Sequence, residues 1–246
     1  MNQTLLRMAV FSLPAIMLAA PVSAQEALKR KTTLPPSAEL TYSIEARQSG
    51  ISVNGEAVLK WNVLQGRYSI ATETRAMLVG KIHEARSEGT IDDFGLAPER
   101  FVEKRLRKDP TTTTFDRAAK KISFTESDVV YPIKGGEQDR SSVVWQLASI
   151  ARGAPAKFKV GTEWKFLVAG RRDAEPWTFK VVKQEKVHIR DGDVPAFHIV
   201  RSPPPDAKGQ KLDLWLAPSL DWYPVRLRFT DADGDYIEQT LDHAAK

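Results

Sequence analysis

Four histidines are the first residues to consider as metal ligands or proton carriers in this sequence. They are His83, His188, His198 and His243, and none belongs to an H-E-x-x-H pair or a related ligand motif. His188 and His198 flank an Asp-Gly turn signal, which predicts that they face each other across a hairpin. Two histidines alone make a poor metal site unless carboxylates join them. We therefore expect ordinary strand residues here, with no metal ion and no cofactor.

The chain contains no recognisable motif for nucleophilic catalysis. The sequence contains no G-x-S-x-G elbow, no S-x-x-K motif and no cysteine. Ser141 and Ser142 open a predicted helix, where serine is typical of capping positions. A pair of carboxylates that cleaves glycosides is still an open alternative, because 31 acidic residues are present and their pairing depends on the fold. The sequence singles out no catalytic residue, so we expect a protein that is not an enzyme.

One acidic run resembles a calcium loop. Residues 231–235 read D-A-D-G-D, and Glu238 follows. An EF-hand loop has glycine at its sixth position and glutamate at its twelfth, whereas here the glycine is fourth and the glutamate eighth. The flanking residues have strand character, which favours a charged hairpin turn. Gly135 and Gly136 form a lone pair before the helix, and no glycine-rich phosphate loop is present.

Large apolar side chains are the remaining candidates for binding. Any one of them is typical of a packed core, but a curled sheet around a helix either fills its interior or leaves an apolar groove under the helix. The candidate ligand-binding residues are Trp61, Phe101, Phe124, Trp145, Leu147 and Trp215.

Alternation of apolar and polar residues dominates the chain from residue 39 onward. Leu40, Tyr42 and Ile44 share one strand face, while the residues between them point to the other. The same pattern continues over residues 51–63, and turn signals separate the later strands. Those strands are predicted at 67–75, 81–91, 99–107, 111–116, 121–126, 128–133, 163–170, 176–189, 195–202, 210–217, 222–230 and 235–242.

A single segment has helical spacing instead. Between residues 139 and 152 the apolar residues recur at helical intervals, Asp139 can cap the start, and Gly153 ends the segment. Trp145 and Ala148 lie off the main apolar stripe, so the helix should touch apolar surface on more than one side. The predicted fold is mainly β: a large curled antiparallel sheet, open or partly closed like a barrel, in one unit or two lobes, with one amphipathic helix packed against it.

The first 24 residues have the three parts of an export signal. Arg7 supplies the positive charge, residues 8–20 are mostly apolar, and Val-Ser-Ala at 22–24 suits a signal peptidase. We expect cleavage before Gln25, because the apolar run is shorter than the roughly 20 residues of a membrane span. A lipoprotein needs a cysteine after the cut, so the prediction is a periplasmic protein that is soluble and not a lipoprotein. Residues 25–38 are predicted as a flexible lead-in to the β-rich domain at 39–242.

Net charge is a weak indicator of partners. The chain has 36 basic and 31 acidic residues, a formal charge of +5. The basic residues form short clusters with acids between them, which is typical of a solvated face and allows at most peripheral membrane contact. Because basic and aromatic residues do not alternate in a ladder, we expect no nucleic-acid partner. The sequence does not indicate the oligomeric state.

Three short motifs, in their order and spacing, give the chain a family resemblance. They are the step into the helix at residues 138–141, Q-D-R-S; the turn at 95–98, G-L-A-P; and L-W-L-A-P at 214–218, which P-V-R at 224–226 follows. In these features the chain resembles the exported bacterial family called domain of unknown function (DUF) 3108. The resemblance implies an envelope protein dominated by antiparallel sheet, and it implies no catalytic residue.

The leading functional hypothesis is a non-enzymatic periplasmic protein that binds a lipid or an extended peptide segment in the concavity of the sheet. The helix would then act as a plug or a lid. The alternative is an envelope scaffold or protein–protein interaction module, which docks to envelope proteins or polymers through its sheet edges and basic patches. A less favoured alternative is a cryptic hydrolase of envelope polymers, which would need two carboxylates in a cleft, or a serine near a histidine.

Overall fold

The computed structural model describes residues 29–77, 79–202 and 210–246. The predicted export signal at 1–24 and the first residues of the lead-in lie outside this range. In these three described segments, no helix has both the length and the hydrophobicity that crossing a membrane requires. The domain boundaries proposed from the sequence stay a prediction.

Fifteen strands and one α-helix make up the described part of the chain. In chain order the elements are β1 (Ala38–Gln48), β2 (Ile51–Leu64), β3 (Arg67–Ala76), β4 (Gly80–Asp92), β5 (Gly95–Arg105), β6 (Thr111–Asp116), β7 (Lys121–Phe124), β8 (Ser127–Pro132), β9 (Gln138–Asp139), α1 (Ser142–Gly153), β10 (Glu163–Ala169), β11 (Ala174–Ile189), β12 (Gly192–Arg201), β13 (Lys211–Ala217), β14 (Tyr223–Thr230) and β15 (Tyr236–Ala245). Two short 3-10 helices occupy Pro155–Lys157 and Pro218–Leu220.

All fifteen strands belong to one sheet, with the order β8-β7-β6-β5-β4-β3-β2-β1-β15-β14-β13-β12-β11-β10-β9. Consecutive strands pair as antiparallel hairpins in each half, and β1 joins the halves by pairing with β15. The pairing of β9 with β10 is parallel. Because β8 and β9 are the two edges, the sheet curls without closing. This confirms the predicted fold class, as a single continuous sheet.

Alternation along the strands explains how the sheet encloses a core. Leu40, Tyr42, Trp61 and Ile70 are each at most 1% exposed and face the interior. Residues from both halves of the sheet join them in one large apolar cluster with the helix. Burial of one face is the feature that holds each strand in its register, because a shift by one residue would turn the apolar set outward.

Helix α1 is enclosed by the sheet. Eleven of its twelve residues are buried, and Arg152 is the one that is not. The prediction that the helix touches apolar surface on more than one side is therefore confirmed, and it extends to nearly the whole circumference. The helix begins at Ser142, three residues later than predicted, because Asp139 first pairs with β10 as part of β9.

Residues 29–37, in the predicted lead-in, run across the helix as an extended strap. Thr33 N–H donates to the Ser149 carbonyl at 2.9 Å. Arg152 and Trp61 donate to the carbonyls of Leu34 and Pro35, both at 3.0 Å. These contacts tie the described part of the lead-in to the helix and to the sheet.

Candidate functional site

An interior cavity of ≈ 400 Å³ lies beside the first turns of α1. Strands β2–β5 line one side and strands β11–β15 the other, so the curl of the sheet creates the space. Most of its wall is apolar. The apolar lining includes Leu59, Ile70, Trp145, Leu212, Leu227 and Phe229.

Polar side chains from β4 and β5 line the end of the cavity away from the helix. Glu103 is 5% exposed, and its Oε1 accepts a hydrogen bond from Arg105 Nε at 2.5 Å. His83 Nε2 lies 3.8 Å from the same oxygen. Burial opposes ionisation of Glu103, but its interactions with His83 and Arg105 outweigh burial and lower its pKa to about 2. Glu103 is therefore a carboxylate at neutral pH and is poorly suited to act as a general acid.

Arg201, on β12, forms a second polar group on the opposite wall. It is 5% exposed, with its Cζ 4.5 Å from the centre of the Trp177 ring. One of its nitrogens donates to Glu175 at 3.1 Å, and another donates to the Gln210 carbonyl. Burial lowers the pKa of Arg201, Glu175 opposes this effect, and the nearby Arg140 adds to it.

Arg140 completes the charged lining and is exposed at the entry to the helix. It makes no side-chain hydrogen bond or ion pair with any residue in the described segments. Together the lining holds three arginines and two glutamates, and each glutamate already contacts an arginine. The balance of charge among the side chains of the lining is positive, so the lining is complementary to an anion.

A buried carboxylate fixes the helix beside the cavity. Asp139 is fully buried, and its Oδ1 accepts from the backbone N–H groups of Ser141 and Ser142, both at 2.8 Å. Ser87 Oγ donates to Oδ2 at 2.6 Å, and Tyr68 Oη lies 3.2 Å from Ser87 Oγ. Burial raises the pKa of Asp139 to about 6, although these hydrogen bonds act against the rise. The predicted capping role of Asp139 matches this geometry.

A second polar anchor joins the middle of the helix to β5. Gln146 Oε1 accepts from Leu96 N–H at 2.8 Å, and its Nε2 donates to the Phe94 carbonyl at 2.6 Å. Gly95 has a φ of 107°, and a Cβ there would lie 2.3 Å from Gln146 Oε1. The turn before β5 therefore requires glycine, both for its backbone and for the close approach of the glutamine.

Two of the predicted ligand-binding residues, Phe101 and Trp145, line the cavity. Trp61 lies behind Trp145, with the two rings stacked at 4.3 Å and an interplanar angle of 9°. Leu147 is completely buried in the core. Neither Trp61 nor Leu147 is part of the cavity lining.

Phe124 and Trp215 lie elsewhere in the molecule. Phe124 packs against a second, smaller apolar cluster under β5–β8. Trp215 stacks on His198 with ring centres 4.3 Å apart, and its Nε1 donates to Glu185 at 2.8 Å. It alternates with Leu214, which belongs to the interior face, so its ring belongs to the outer one.

The charged lining was missed, although the sequence carries a signal for it. Glu103 and Arg105 are in phase with Phe101, and Arg201 is in phase with the buried Ile199. A charged residue on the apolar phase of a strand must point into the interior. Such residues are the ones that alternation identifies as candidates for an interior polar site.

The histidine pair does not form. His188 pairs with Asp193 across the hairpin, and His198 pairs with Lys183, so the predicted contact between the histidines is wrong. Partners in a hairpin are equally far from the turn, whereas His188 is much nearer to it than His198. Among the residues that the structure describes, no group of three or more His, Asp or Glu side chains is placed to hold a metal. In the acidic run, Asp231 Oδ1 accepts backbone N–H groups of its own turn, as expected for a hairpin.

Structural and sequence comparisons place this architecture among known proteins. A β-barrel-like protein of domain of unknown function DUF1849 from Brucella abortus has a TM-score of 0.61 and 11% identity, covering 87% of this chain and 99% of that one. This likeness shows a shared fold. A protein with a YmcC-like fold from Bacteroides fragilis has a TM-score of 0.38 and 9% identity, covering 87% of this chain and 100% of that one. A DUF1329 family protein from Desulfovibrio piger has a TM-score of 0.29 and 8% identity, covering 85% of each chain.

Among curated proteins, none matches the chain in sequence. The family model described as "Protein of unknown function (DUF3108)" matches residues 39–242, which include all strands and the helix except the ends of β1 and β15. The chain therefore belongs to the DUF3108 family.

Proposed function

We propose that this protein is a non-enzymatic binding protein of the periplasm, which holds an amphiphilic anion in its interior cavity. The apolar part of the ligand lies against the apolar wall, and its anionic group lies among the three arginines of the lining. The observation that carries the proposal is the cavity itself: ≈ 400 Å³ of unfilled interior with an apolar wall and three arginines in its lining.

The apolar wall accounts for affinity. Small-molecule sites are typically concave, mostly apolar and a few hundred Å³ in volume. Each methylene that leaves water for such a site contributes roughly 0.8 kcal/mol. The rings of Trp145 and Phe101 and the aliphatic side chains around them present a surface of this kind.

The arginines account for selectivity. Arg105 and Arg201 each have a glutamate partner, whereas Arg140 faces the cavity without a described partner. Since Arg140 lowers the pKa of Arg201, the two positive charges act on each other, and an anion between them would relieve that repulsion. Guanidinium groups bind carboxylate and phosphate with paired hydrogen bonds.

The helix serves as a plug in this proposal. It is buried on nearly all sides, anchored by Asp139 and Gln146, and covered by the strap at 29–37. Opening it as a lid would break these hydrogen bonds and expose the apolar residues of the helix to water. The ligand therefore enters from the end of the cavity that the helix does not fill.

Docking of a partner strand is a second candidate, because one sheet edge is apolar and exposed. Strand β8 is an edge of the sheet, and Val129 and Val130 on it are 51% and 55% exposed. An exposed edge of this kind can receive an added strand. Cross-linking from position 129 in a bacterial envelope, with one stoichiometric product and no ligand in the cavity, would favour this function.

Titration with saturated fatty acids of increasing length, and with their uncharged methyl esters, tests the cavity proposal. Binding is followed by native mass spectrometry and calorimetry. We expect affinity to rise about fourfold per methylene until the cavity is full, from the transfer free energy of a methylene. The Arg140→Gln substitution should weaken the binding of acids about tenfold, which is the scale of a charge-assisted hydrogen bond, and leave the binding of esters unchanged.

A cavity-filling variant makes the test specific. Ala85 lines the cavity, so Ala85→Trp should abolish binding of acids and esters alike. Ala71, on the neighbouring strand β3, lines a depression outside the interior, and Ala71→Trp is the matched control that should bind as the unaltered protein does. Absence of acid binding, or equal binding by both tryptophan variants, would refute the proposal. Circular dichroism shows whether each variant is folded.

A further inference from the structure

Exposed apolar side chains gather on three turns at one end of the sheet. Five large hydrophobic residues there are 41–78% exposed, which is unusual for isolated turns of a water-soluble domain. They are Ile51 and Val53 after the first turn, Met77 and Val79 in the second, and Leu106 in the third.

The three turns are neighbours in space. They connect β1 to β2, β3 to β4 and β5 to β6, and in an antiparallel sheet such alternate hairpin turns lie at the same end. Met77 N–H donates to the Asn54 carbonyl at 3.1 Å, and Leu106 N–H donates to the Ile82 carbonyl at 2.8 Å. We call residues 47–53, 75–77, 79–81 and 104–110 the rim.

The rim borders the unfilled end of the cavity. Thr74, His83 and Arg105 line the cavity, and each lies within three residues of a rim turn on β3, β4 or β5. The helix is at the opposite end of the same interior. An apolar surface at the rim therefore surrounds the route by which a ligand reaches the cavity.

The rim is also basic. These segments contain seven Lys or Arg residues and one acid, Asp109, while the adjoining β14–β15 turn adds three aspartates, of which Asp235 accepts from Ser49 N–H at 2.7 Å. Three of the cations form ion pairs with Glu73, Glu84 or Glu103 inside or beside the sheet. The other four make no ion pair within the described segments and are exposed: Arg47, Lys104, Arg107 and Lys108.

We propose that the rim docks on the surface of an anionic lipid bilayer, so that the cavity opens onto the membrane. Apolar side chains between basic ones are the pattern of a surface that enters the headgroup region, where the cations meet lipid phosphates. A second copy of the chain is a poor occupant, because a symmetric contact would place the same cations against each other. This inference goes beyond ligand binding and does not require it.

Flotation with phospholipid vesicles tests the docking. The protein is mixed with vesicles of phosphatidylcholine alone or with 30% phosphatidylglycerol, and all variants carry the same N-terminus, as identified by mass spectrometry. We expect flotation only with the anionic vesicles, weakening as salt is raised. Since each cation near an anionic leaflet strengthens partition about fivefold, combined Arg47→Gln, Arg107→Gln and Lys108→Gln should weaken it about 100-fold.

Apolar variants separate rim contact from general charge attraction. Combined Ile51→Ser, Met77→Ser and Leu106→Ser should weaken partition at least tenfold while keeping the charge. Leu64→Ser is the matched control: Leu64 is 73% exposed at the other end of β2, where it is the last residue of the strand, and this substitution should have no effect.

Three results would overturn the inference. They are no flotation with anionic vesicles, equal loss from Leu64→Ser and from the rim variant, and a stable dimer in solution that the rim variant dissociates. Fatty-acid binding without vesicles is measured in parallel. The rim variants should retain it, so failure of docking and failure of ligand binding give different results.

Discussion

The unaltered protein should lose stability as the pH rises from about 4 to about 6, and replacing Asp139 with asparagine should remove this loss. Asp139 is fully buried, and burial raises its pKa from 3.8 to about 6 in the folded protein. The folded state therefore binds this proton more tightly than the unfolded state does. Stabilisation from the protonated form is complete below the ordinary pKa, and it is lost as the pH rises through about 6.

The magnitude follows from the two pKa values. A difference of about two units, at 1.36 kcal/mol per unit, corresponds to about 3 kcal/mol of unfolding free energy in total, of which about 2.5 kcal/mol is lost between pH 4 and pH 7. Glu103 has the opposite sign, because its pKa is lowered from 4.5 to about 2. Its stabilisation is present above pH 4.5 and is lost as the pH falls toward 2, so the two effects occupy separate pH ranges.

Urea unfolding at several pH values and constant ionic strength measures this contribution. Asparagine keeps an oxygen to accept from the N–H groups of Ser141 and Ser142, and Ser87 can accept from its amide. The stability of Asp139→Asn relative to the unaltered protein should rise by about 2.5 kcal/mol from pH 4 to pH 7. Glu103→Gln is the control, with a difference that changes only below pH 4.5. A pH-independent difference for Asp139→Asn would show that burial does not raise this pKa.

Two further substitutions test the anchoring of the helix by urea unfolding. Gly95→Ala should lower the free energy of unfolding by about 2 kcal/mol more than Gly192→Ala does. Both glycines have positive φ, but only at Gly95 would the new methyl group displace Gln146, so equal losses would contradict the role of Gln146. Trp145→Ala should lower the free energy of unfolding by about 3–5 kcal/mol, which is the range for truncating a buried tryptophan to alanine. A loss below about 1 kcal/mol would mean that stacking on Trp61 contributes little.

Strand alternation made most of the fold predictable. Each predicted strand corresponds to an observed one, with ends that differ by a few residues. Strand β9 was missed because two residues are too few to show a period, and because it pairs with β10 in parallel through a long connection. Burial of the polar side of α1 was also missed. Gln146 lies inside because β5 supplies its partners, and those contacts depend on the fold.

The site was less predictable than the fold. Aromatic type alone does not separate Trp145, which lines the cavity, from Trp61, which is stacked behind it. That distinction depends on how far the sheet curls and on where the helix lies within it. Trp215 is different, because its alternation with the buried Leu214 already places it on the outer face. Whether a residue points to the inner or the outer face of its strand is therefore a better guide to which residues line the interior than its residue type is.

The length of the helix explains why a cavity forms at one end of the interior. Helix α1 has 12 residues and is about 18 Å long, at 1.5 Å per residue. Strand β4 has 13 residues and spans about 43 Å, at 3.3 Å per residue. The helix is therefore less than half as long as β4, so side chains alone must fill the rest of the interior. At that end the lining includes Thr74, Glu103 and Arg105. The same end carries the exposed apolar turns, whereas the filled end is covered by the strap. Filling the interior with a longer helix would therefore remove the proposed ligand site and leave the rim unchanged, which is why the two are independent targets for mutation.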